Sequence, residues 1–289
     1  CHYYLNPDKT IGFVVGEYDK NKTLVIDPLI FSTYIGGSSY EYSEAIALDS
    51  NDNPVICGFT SSEKFPVTRG ALDTVYNKNE FFYPDAFVSK FSNDGKTLLF
   101  STFIGGSADD YAKDLILDAN DNIYITGFTY LSIDFPVKNG YDMEHNGKYD
   151  SFITKLSSDG SQLIYSTFVG GSKDDYATAI YVDHQNQAYI TGYSTFSGDY
   201  PLTADAFQTA HKGAYDAFIA QLSSDGGRLL YSTYIGGNAD DFSQDIRVAD
   251  DGRIYMAGIT QSTDFPTTTN AYQRTLKDKT GTQTGNDCF

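Results

Sequence analysis

Paired acidic residues follow three of the Gly-Gly pairs in this chain. They are Asp109 and Asp110, Asp174 and Asp175, and Asp240 and Asp241, with Tyr40-Glu41 at the same place in the first copy. Carboxylate oxygens are the ligands that Ca²⁺ prefers, so these six aspartates are candidate calcium ligands; otherwise we expect no cofactor. An Asp after Gly-Gly can instead cap a sharp turn, because its side chain accepts hydrogen bonds from nearby backbone N–H groups. We favour turn capping, since the residues recur in each copy as turn chemistry would.

A second acidic segment could also bind calcium. Residues 49–53 (DSNDN) and 118–122 (DANDN) both open like an EF-hand loop. However, Pro54 and Ile123 stand where such a loop needs Gly, and no Glu follows at the twelfth place. Asn and Asp tolerate the left-handed backbone of tight turns, so we predict β-hairpin turns here.

Catalytic motifs are scarce in the sequence. His145 and His211 each lie five residues before an Asp, Asp150 and Asp216, but Glu80 and Thr282 hold that place in other copies. We therefore interpret both histidines as incidental residues of exposed loops. No nucleophile elbow is present, and the five arginines are scattered along the chain. From these residues the chain is predicted not to be an enzyme.

The elements that position these residues repeat along the chain. The motif Ser-Thr-aromatic-aliphatic-Gly-Gly starts at Ser32, Ser101, Ser166 and Ser232, at spacings of 69, 65 and 66 residues. Single glycines and aromatic-Pro pairs recur with the same steps, so whole units are duplicated.

Each unit predicts four short strands. In one unit they cover residues 98–104, 114–117, 123–126 and 151–156, and no segment shows the apolar spacing of an amphipathic helix. Ile123 and Ile125 point to one face of the predicted sheet and Tyr124 to the other, so both faces need cover. Sheets stacked around an axis satisfy that need. We predict an all-β fold, a β-propeller of four-stranded antiparallel blades with about four complete repeats and a partial one.

Six motifs recur in order: Ser-Thr-Tyr-Ile-Gly-Gly-Ser, Asp-Asp-Tyr, Ile-Tyr-Ile-Thr-Gly, Phe-Pro, Asp-Ala-Phe-Ile and Ser-Ser-Asp-Gly. This series resembles the SBBP β-propeller repeat of secreted and surface-attached bacterial proteins, over about residues 29–289. Residues 10–28 resemble the end of the domain that often precedes such repeats. The resemblance implies a propeller and export from the cell, and it implies no particular reaction.

The predicted domain organisation follows from these repeats. Residues 1–28 form the end of a preceding β domain or a partial blade, and residues 29–289 form the tandem repeats, with units starting near 32, 101, 166 and 232. Residues 287–289 align with residues that open a strand elsewhere, so we expect a fragment of a longer chain. Cys1 fits either a lipidated first residue or a fragment boundary.

Charge limits the partners of the protein. The chain has 289 residues and a formal charge of −18, from 20 Lys and Arg against 38 Asp and Glu, which argues against nucleic acid. No apolar stretch is long enough to span a membrane. We predict a non-catalytic extracellular or cell-surface scaffold whose partner is a protein or a glycan. The alternatives are a carbohydrate- or calcium-dependent adhesion module, a subunit that self-assembles through open strand edges and, as the weakest, a secreted hydrolase.

Overall fold

The computed structural model describes residues 2–5, 11–14, 21, 31–77, 84–132, 134–196, 198–276 and 286–289. The chain divides into two compact units, Cys1–Thr33 and Tyr34–Phe289. In the first unit, strands β1 (His2–Leu5) and β2 (Ile11–Val14) form an antiparallel hairpin.

The second unit consists of antiparallel sheets, and none of its described residues is helical. Its strands are β3 (Glu41–Leu48), β4 (Pro54–Thr60), β5 (Asp85–Phe91), β6 (Leu98–Ile104), β7 (Asp110–Leu117), β8 (Ile123–Tyr130), β9 (Tyr149–Leu156), β10 (Leu163–Val169), β11 (Asp175–Val182), β12 (Ala188–Thr195), β13 (Tyr215–Leu222), β14 (Leu229–Ile235), β15 (Asp241–Val248), β16 (Ile254–Thr260) and β17 (Asp287–Cys288). Each sheet pairs its strands in chain order: β3–β6, β7–β10, β11–β14 and the three-stranded β15–β17. The predicted β-propeller fold is confirmed.

The grouping of strands into blades differs from the predicted units by one strand. Strand β6 (98–104) was predicted to open the second unit, but it pairs with β5 and closes the first sheet. The Gly-Gly pair after it therefore connects one blade to the next. A sequence repeat has no inherent starting point, so its phase becomes visible only in the pairing.

Neighbouring sheets bury their faces against each other. Val88 of β5 packs in one cluster with Ile125 of β8, and Tyr124 on the other face of β8 packs with Ile190 of β12. The β-branched and aromatic residues of the strands thus fill the space between blades, as predicted. Tyr255 of the last sheet differs, because 52% of its surface is exposed.

The first strand of each sheet forms the inner wall of the propeller. Strand β3 contacts β7, β7 contacts β11, and β11 contacts β15. Side chains that project from these four strands therefore come from successive blades and lie along one wall.

Candidate active site at the inner strands

Each inner strand contains a β-bulge at the same position. The pairing register shifts between Ala112 and Asp114 of β7, and at the equivalent place in β3, β11 and β15. Opposite the bulge stands a glycine, Gly127 in the second blade, whose added Cβ would overlap the carbonyl oxygen of Tyr111. Only glycine fits there, which explains why this residue recurs in every copy. A bulge re-aims the side chains beside it, and bulges are common next to active sites.

Charged residues occupy the bulges of two inner strands, and further charged residues follow the bulges of β7 and β15. Lys113 of β7 lies 2.6 Å from Glu44 of β3, from Nζ to Oε1, and so joins two blades. In β15, Arg247 Nη1 lies 2.6 Å from Asp245 Oδ1. The inner wall therefore carries both signs of charge, in contrast to the apolar packing between the sheets.

Asp114 is the most constrained carboxyl group of this wall. Its Oδ1 accepts a hydrogen bond from the Leu115 N–H at 2.9 Å, and its Oδ2 accepts one from the Ile180 N–H of the next blade at 2.9 Å. Burial raises the pKa of Asp114, and the negative charge of Asp245 raises it further. The two hydrogen bonds and Arg247 oppose this shift without cancelling it. Asp114 therefore holds a proton at a higher pH than an ordinary carboxyl group does.

Asp245 lies in a different environment. Its side chain is 52% exposed, and it accepts hydrogen bonds from the Arg247 guanidinium and from the Ile246 N–H at 2.8 Å. A guanidinium contact and access to water both stabilise the ionised form of a carboxyl group. Two interacting carboxyl groups in such unequal surroundings can act as a general acid and a general base.

The predicted calcium ligands divide into two groups. Asp110, Asp175 and Asp241 are buried. Each accepts a hydrogen bond at 2.7 Å from the N–H of the second glycine of the preceding Gly-Gly pair. They cap the connection between blades, as the favoured interpretation predicted.

The first residues of these pairs do not share that role. Asp109 Oδ2 lies 3.4 Å from the Tyr111 hydroxyl, and Asp174 and Asp240 lie half-buried before their strands. Among the described residues, no three His, Cys, Asp or Glu side chains converge on a position that could hold a metal ion. Calcium binding by these six aspartates stays a prediction.

Sequence reasoning missed the partner of each buried capping aspartate. A Cβ added to Gly170 would lie 2.8 Å from Asp175 Oδ2 and 3.3 Å from Asp150 Oδ1, so both carboxyl groups border one glycine. Asp85 and Asp216 open their strands at the same position as Asp150. Burial raises the pKa of Asp175 to about 8 and that of Asp85 to about 7. Burial thus favours the protonated form of both groups, and their enclosure gives them a structural role.

The second predicted calcium segment forms hairpin turns, which confirms the favoured interpretation. The Asp49 N–H donates to the Asn53 carbonyl at 3.0 Å, and Asp52 adopts a left-handed φ of 60°. In both turns a lysine forms an ion pair with the carboxylate that calcium would need. Lys90 Nζ lies 2.5 Å from Asp49 Oδ2, and Lys155 Nζ lies 3.2 Å from Asp118 Oδ2.

Neither histidine is exposed, so their interpretation as exposed loop residues was wrong: the His145 side chain is buried and His211 is half-buried. The His145 side chain is 3% exposed, and its Nδ1 lies 3.9 Å from Asp150 Oδ2. His211 Nε2 lies 2.9 Å from the Ser194 carbonyl oxygen, to which it donates. The loops that carry both residues fold over the outer parts of their blades, which the sequence pattern alone could not show.

The described part of the chain contains no helix with the length and hydropathy needed to cross a bilayer. No family model matches the chain, and no curated protein matches it.

Solved structures resemble the chain in fold. One is a GH43_12 protein retrieved from a capybara gut metagenome, at 14% identity and a TM-score of 0.35, covering 88% of this chain and 48% of that one. A GH43 β-xylosidase/α-arabinofuranosidase from a compost microbial metagenome, in complex with xylotriose, shows 13% identity, a TM-score of 0.33 and coverage of 79% and 90%. A glucose dehydrogenase shows 8% identity, a TM-score of 0.33 and coverage of 89% and 86%.

These comparisons overturn two predictions: that the protein is a non-catalytic scaffold and that it is not an enzyme. The structures named above are enzymes. At such low identities the likeness shows the fold and assigns no reaction to this chain. Both predictions weighed the residues that recur in every copy, whereas the aspartates of the inner wall are present in two of the four blades. Ala45 and Ala179 stand where Asp114 and Asp245 stand in the other blades.

Proposed function

We propose that this propeller hydrolyses glycosidic bonds at its inner wall, with Asp114 as the general acid and Asp245 as the general base. One observation carries the proposal: two carboxyl groups that interact electrostatically lie on inner strands in unequal environments, Asp114 bound by two backbone N–H groups and Asp245 exposed beside Arg247. A pair of carboxyl groups with divided roles is the machinery that glycoside hydrolysis uses.

The proposed hydrolysis uses two proton transfers, one from Asp114 and one to Asp245. The Asp114 carboxyl group donates its proton to the glycosidic oxygen as the bond from that oxygen to the anomeric carbon breaks. A water molecule forms the new bond to this carbon and gives its proton to the Asp245 carboxylate. The Arg247 guanidinium, 2.6 Å from Asp245, holds that carboxylate in place.

The rest of the wall favours an uncharged polar substrate. Glu44 and Lys113 present a carboxylate and an ammonium group, which can hydrogen-bond sugar hydroxyl groups. The charge of −18 on the whole chain repels anionic substrates. A neutral glycoside satisfies both conditions.

The test is hydrolysis of a panel of neutral nitrophenyl glycosides. We expect turnover by the wild-type protein and a loss of about 10²-fold or more in kcat for Asp114→Asn and for Asp245→Asn, the usual range for a positioned acid or base. Asp251→Asn is the matched control, because Asp251 forms a similar ion pair with Arg253 at 2.8 Å outside the bulges. Thermal unfolding of each variant separates loss of chemistry from loss of fold. No turnover of any glycoside, or equal rates in all variants, would reject the proposal.

We also propose, from the motifs that resemble the SBBP repeat, that the protein acts outside the cell or on its surface. Protease treatment of intact producing cells tests this location, since a surface protein is cleaved and an internal one is protected. Calcium is tested separately, because EDTA should lower the melting temperature if the acidic pairs bind the ion.

A further inference from the structure

Aromatic side chains form a continuous stripe across the second and third blades. Its members are Tyr111, Phe128, Tyr130, Tyr149, Tyr176 and Tyr193, and we call them the aromatic stripe. Two routes of neighbouring rings meet at Tyr176, one from Tyr111 through Phe128 and one from Tyr130 through Tyr149. Each ring lies 4.7–5.0 Å from the next, between ring centroids.

The aromatic stripe keeps part of its surface in contact with water. All six residues are half-buried, whereas aromatic residues between the blades, such as Phe152 and Phe218, are fully buried. The second and third blades each contact a neighbouring blade on both sides. The partial exposure of the stripe is therefore a property of strand ends within the propeller, and it does not depend on the terminal blades.

Two members of the stripe are absent from the equivalent positions of other blades. The position of Tyr149 holds Pro84 in the first blade and Asn286 in the last. The position of Tyr130 holds Ser61 in the first blade. Since a blade forms without a ring at either place, packing of the blades does not explain why Tyr130 and Tyr149 are aromatic.

Polar groups accompany the rings of the stripe. Five of the six residues carry a phenolic hydroxyl group, and that of Tyr111 donates a hydrogen bond to Asp109 Oδ2 at 3.4 Å. Burial raises the pKa of Tyr149, and the negative charges of Asp109 and Asp174 raise it further. Hydroxyl groups and two carboxyl groups thus lie close to the rings at the centre of the stripe.

This combination of groups fits a neutral sugar. The C–H groups of a sugar ring form an apolar face that can stack on an aromatic ring, and its hydroxyl groups exchange hydrogen bonds with phenols and carboxylates. An ionic ligand fits less well, because both signs of charge are present. Exposed Lys148 and Lys173 directly precede Tyr149 and Asp174 in the chain.

The stripe shares one face of the second sheet with Asp114. Tyr111 pairs with Phe128 across that sheet. Asp114 pairs with Thr126, which points to the same side as Phe128 because side chains alternate along a strand. Tyr111 precedes Asp114 by three residues, so their Cα atoms lie at most about 11 Å apart. A sugar chain on the stripe can therefore continue to Asp114.

We propose that the aromatic stripe binds successive residues of a neutral sugar chain, so that the substrate of the inner wall is an extended polysaccharide. The position of the cleaved bond rests on the hydrolysis proposed above, with Asp114 next to one end of the stripe. Binding to the stripe itself does not require turnover, so it can be measured separately.

Affinity electrophoresis in gels that contain soluble neutral polysaccharides tests the stripe. The panel comprises polymers of glucose, xylose, mannose, galactose and arabinose. We expect at least one polysaccharide to retard the wild-type protein, and Tyr149→Ala to weaken that binding at least about tenfold through loss of one stacking ring. Tyr141→Ala is the matched control, because Tyr141 is exposed in the same blade but lies outside the stripe. Thermal unfolding of both variants separates loss of binding from loss of fold.

The outcomes distinguish this inference from the proposed hydrolysis. Retardation that Tyr149→Ala loses and Tyr141→Ala keeps supports the stripe even if no glycoside is hydrolysed. No retardation by any polysaccharide, or equal retardation of the two variants, would overturn the inference even if nitrophenyl glycosides are turned over. Binding of tetramethylammonium in a parallel titration, without binding of any polysaccharide, would also overturn it, since the rings would then recognise a cation.

Discussion

At the scale of single residues, environment decides what each aspartate does. Asp114, Asp175 and Asp49 are all carboxyl groups at strand ends or bulges, yet burial raises the pKa of the first two, whereas Lys90 and Asn53 lower that of Asp49 against the effect of burial. Asp175 is enclosed and structural, whereas Asp114 lies on the inner wall with charged neighbours.

Burial of Asp175 should make the fold less stable as the pH rises. Burial raises its pKa in the folded chain to about 8, above the usual 3.8 of an aspartate, so the folded state binds more protons between these values. Stability should therefore fall as pH rises from about 4 to about 8. Asp175→Asn keeps an acceptor for the Gly171 N–H but has no carboxyl group to titrate. Over this pH range its free energy of unfolding should fall by at least about 1 kcal/mol less than that of the wild-type protein.

Denaturant unfolding at pH 5 and pH 9 measures the effect. Asp174→Asn serves as the control, since the neighbouring Asp174 lies half-buried outside the capping position. An unchanged pH dependence in Asp175→Asn would show that this carboxyl group is ionised in the folded state.

The Lys90–Asp49 ion pair stabilises the first blade at neutral pH. Both side chains are largely buried, so Lys90→Met leaves a buried carboxylate without its cation and should cost about 1–3 kcal/mol. The pKa of Asp49 is lowered, so this cost should shrink as pH falls below about 4 and the carboxyl group takes up a proton.

Lys96→Met is the control, because the Lys96–Asp94 pair is exposed. Urea unfolding at pH 7 and pH 3 measures both variants. Equal losses for the two variants at pH 7 would contradict a special role for the buried pair.

At the scale of elements, the β-bulge links the repeated sequence to the unrepeated site. The recurring glycine opposite each bulge is a backbone requirement, since a Cβ on Gly127 would overlap the Tyr111 carbonyl oxygen. The neighbouring residues are free to vary because the bulge fixes only the backbone. The residue directly after the bulge is therefore Asp114 in one blade and Ala179 in the next.

This division explains how much the sequence could predict. Strands, turns and the propeller follow from residues that recur, such as the Gly-Gly pairs and the Asp49 hairpin turn. Lys113, Asp114 and Asp245 each differ from most of their equivalents, so comparison between copies discards them. A bulge has no distinct sequence signal beyond its glycine, and the convergence of inner strands is a property of packing.

Gly127→Ala tests the bulge as an element. The added methyl group forces β7 away from β8, and we expect a loss of about 3 kcal/mol or more, as for an overpacked core position. Gly227→Ala is the control, because its added Cβ would meet no atom closer than 3.7 Å. Thermal unfolding measures both variants, and a change below about 1 kcal/mol for Gly127→Ala would show that the bulge adapts without strain.

At the scale of the whole molecule, the blades stack through apolar faces, while the inner wall collects charge from several blades. The first and last blades leave apolar faces open at Ile46 and Tyr255.

The pH dependence of kcat/KM for glycoside hydrolysis tests the central claim most directly. We predict that the profile of the wild-type protein has an alkaline limb, along which kcat/KM falls as Asp114, the general acid with the raised pKa, loses its proton. In Asp114→Asn the alkaline limb should disappear together with most of the rate. A profile that keeps its alkaline limb in Asp114→Asn, at an undiminished rate, would contradict the assignment.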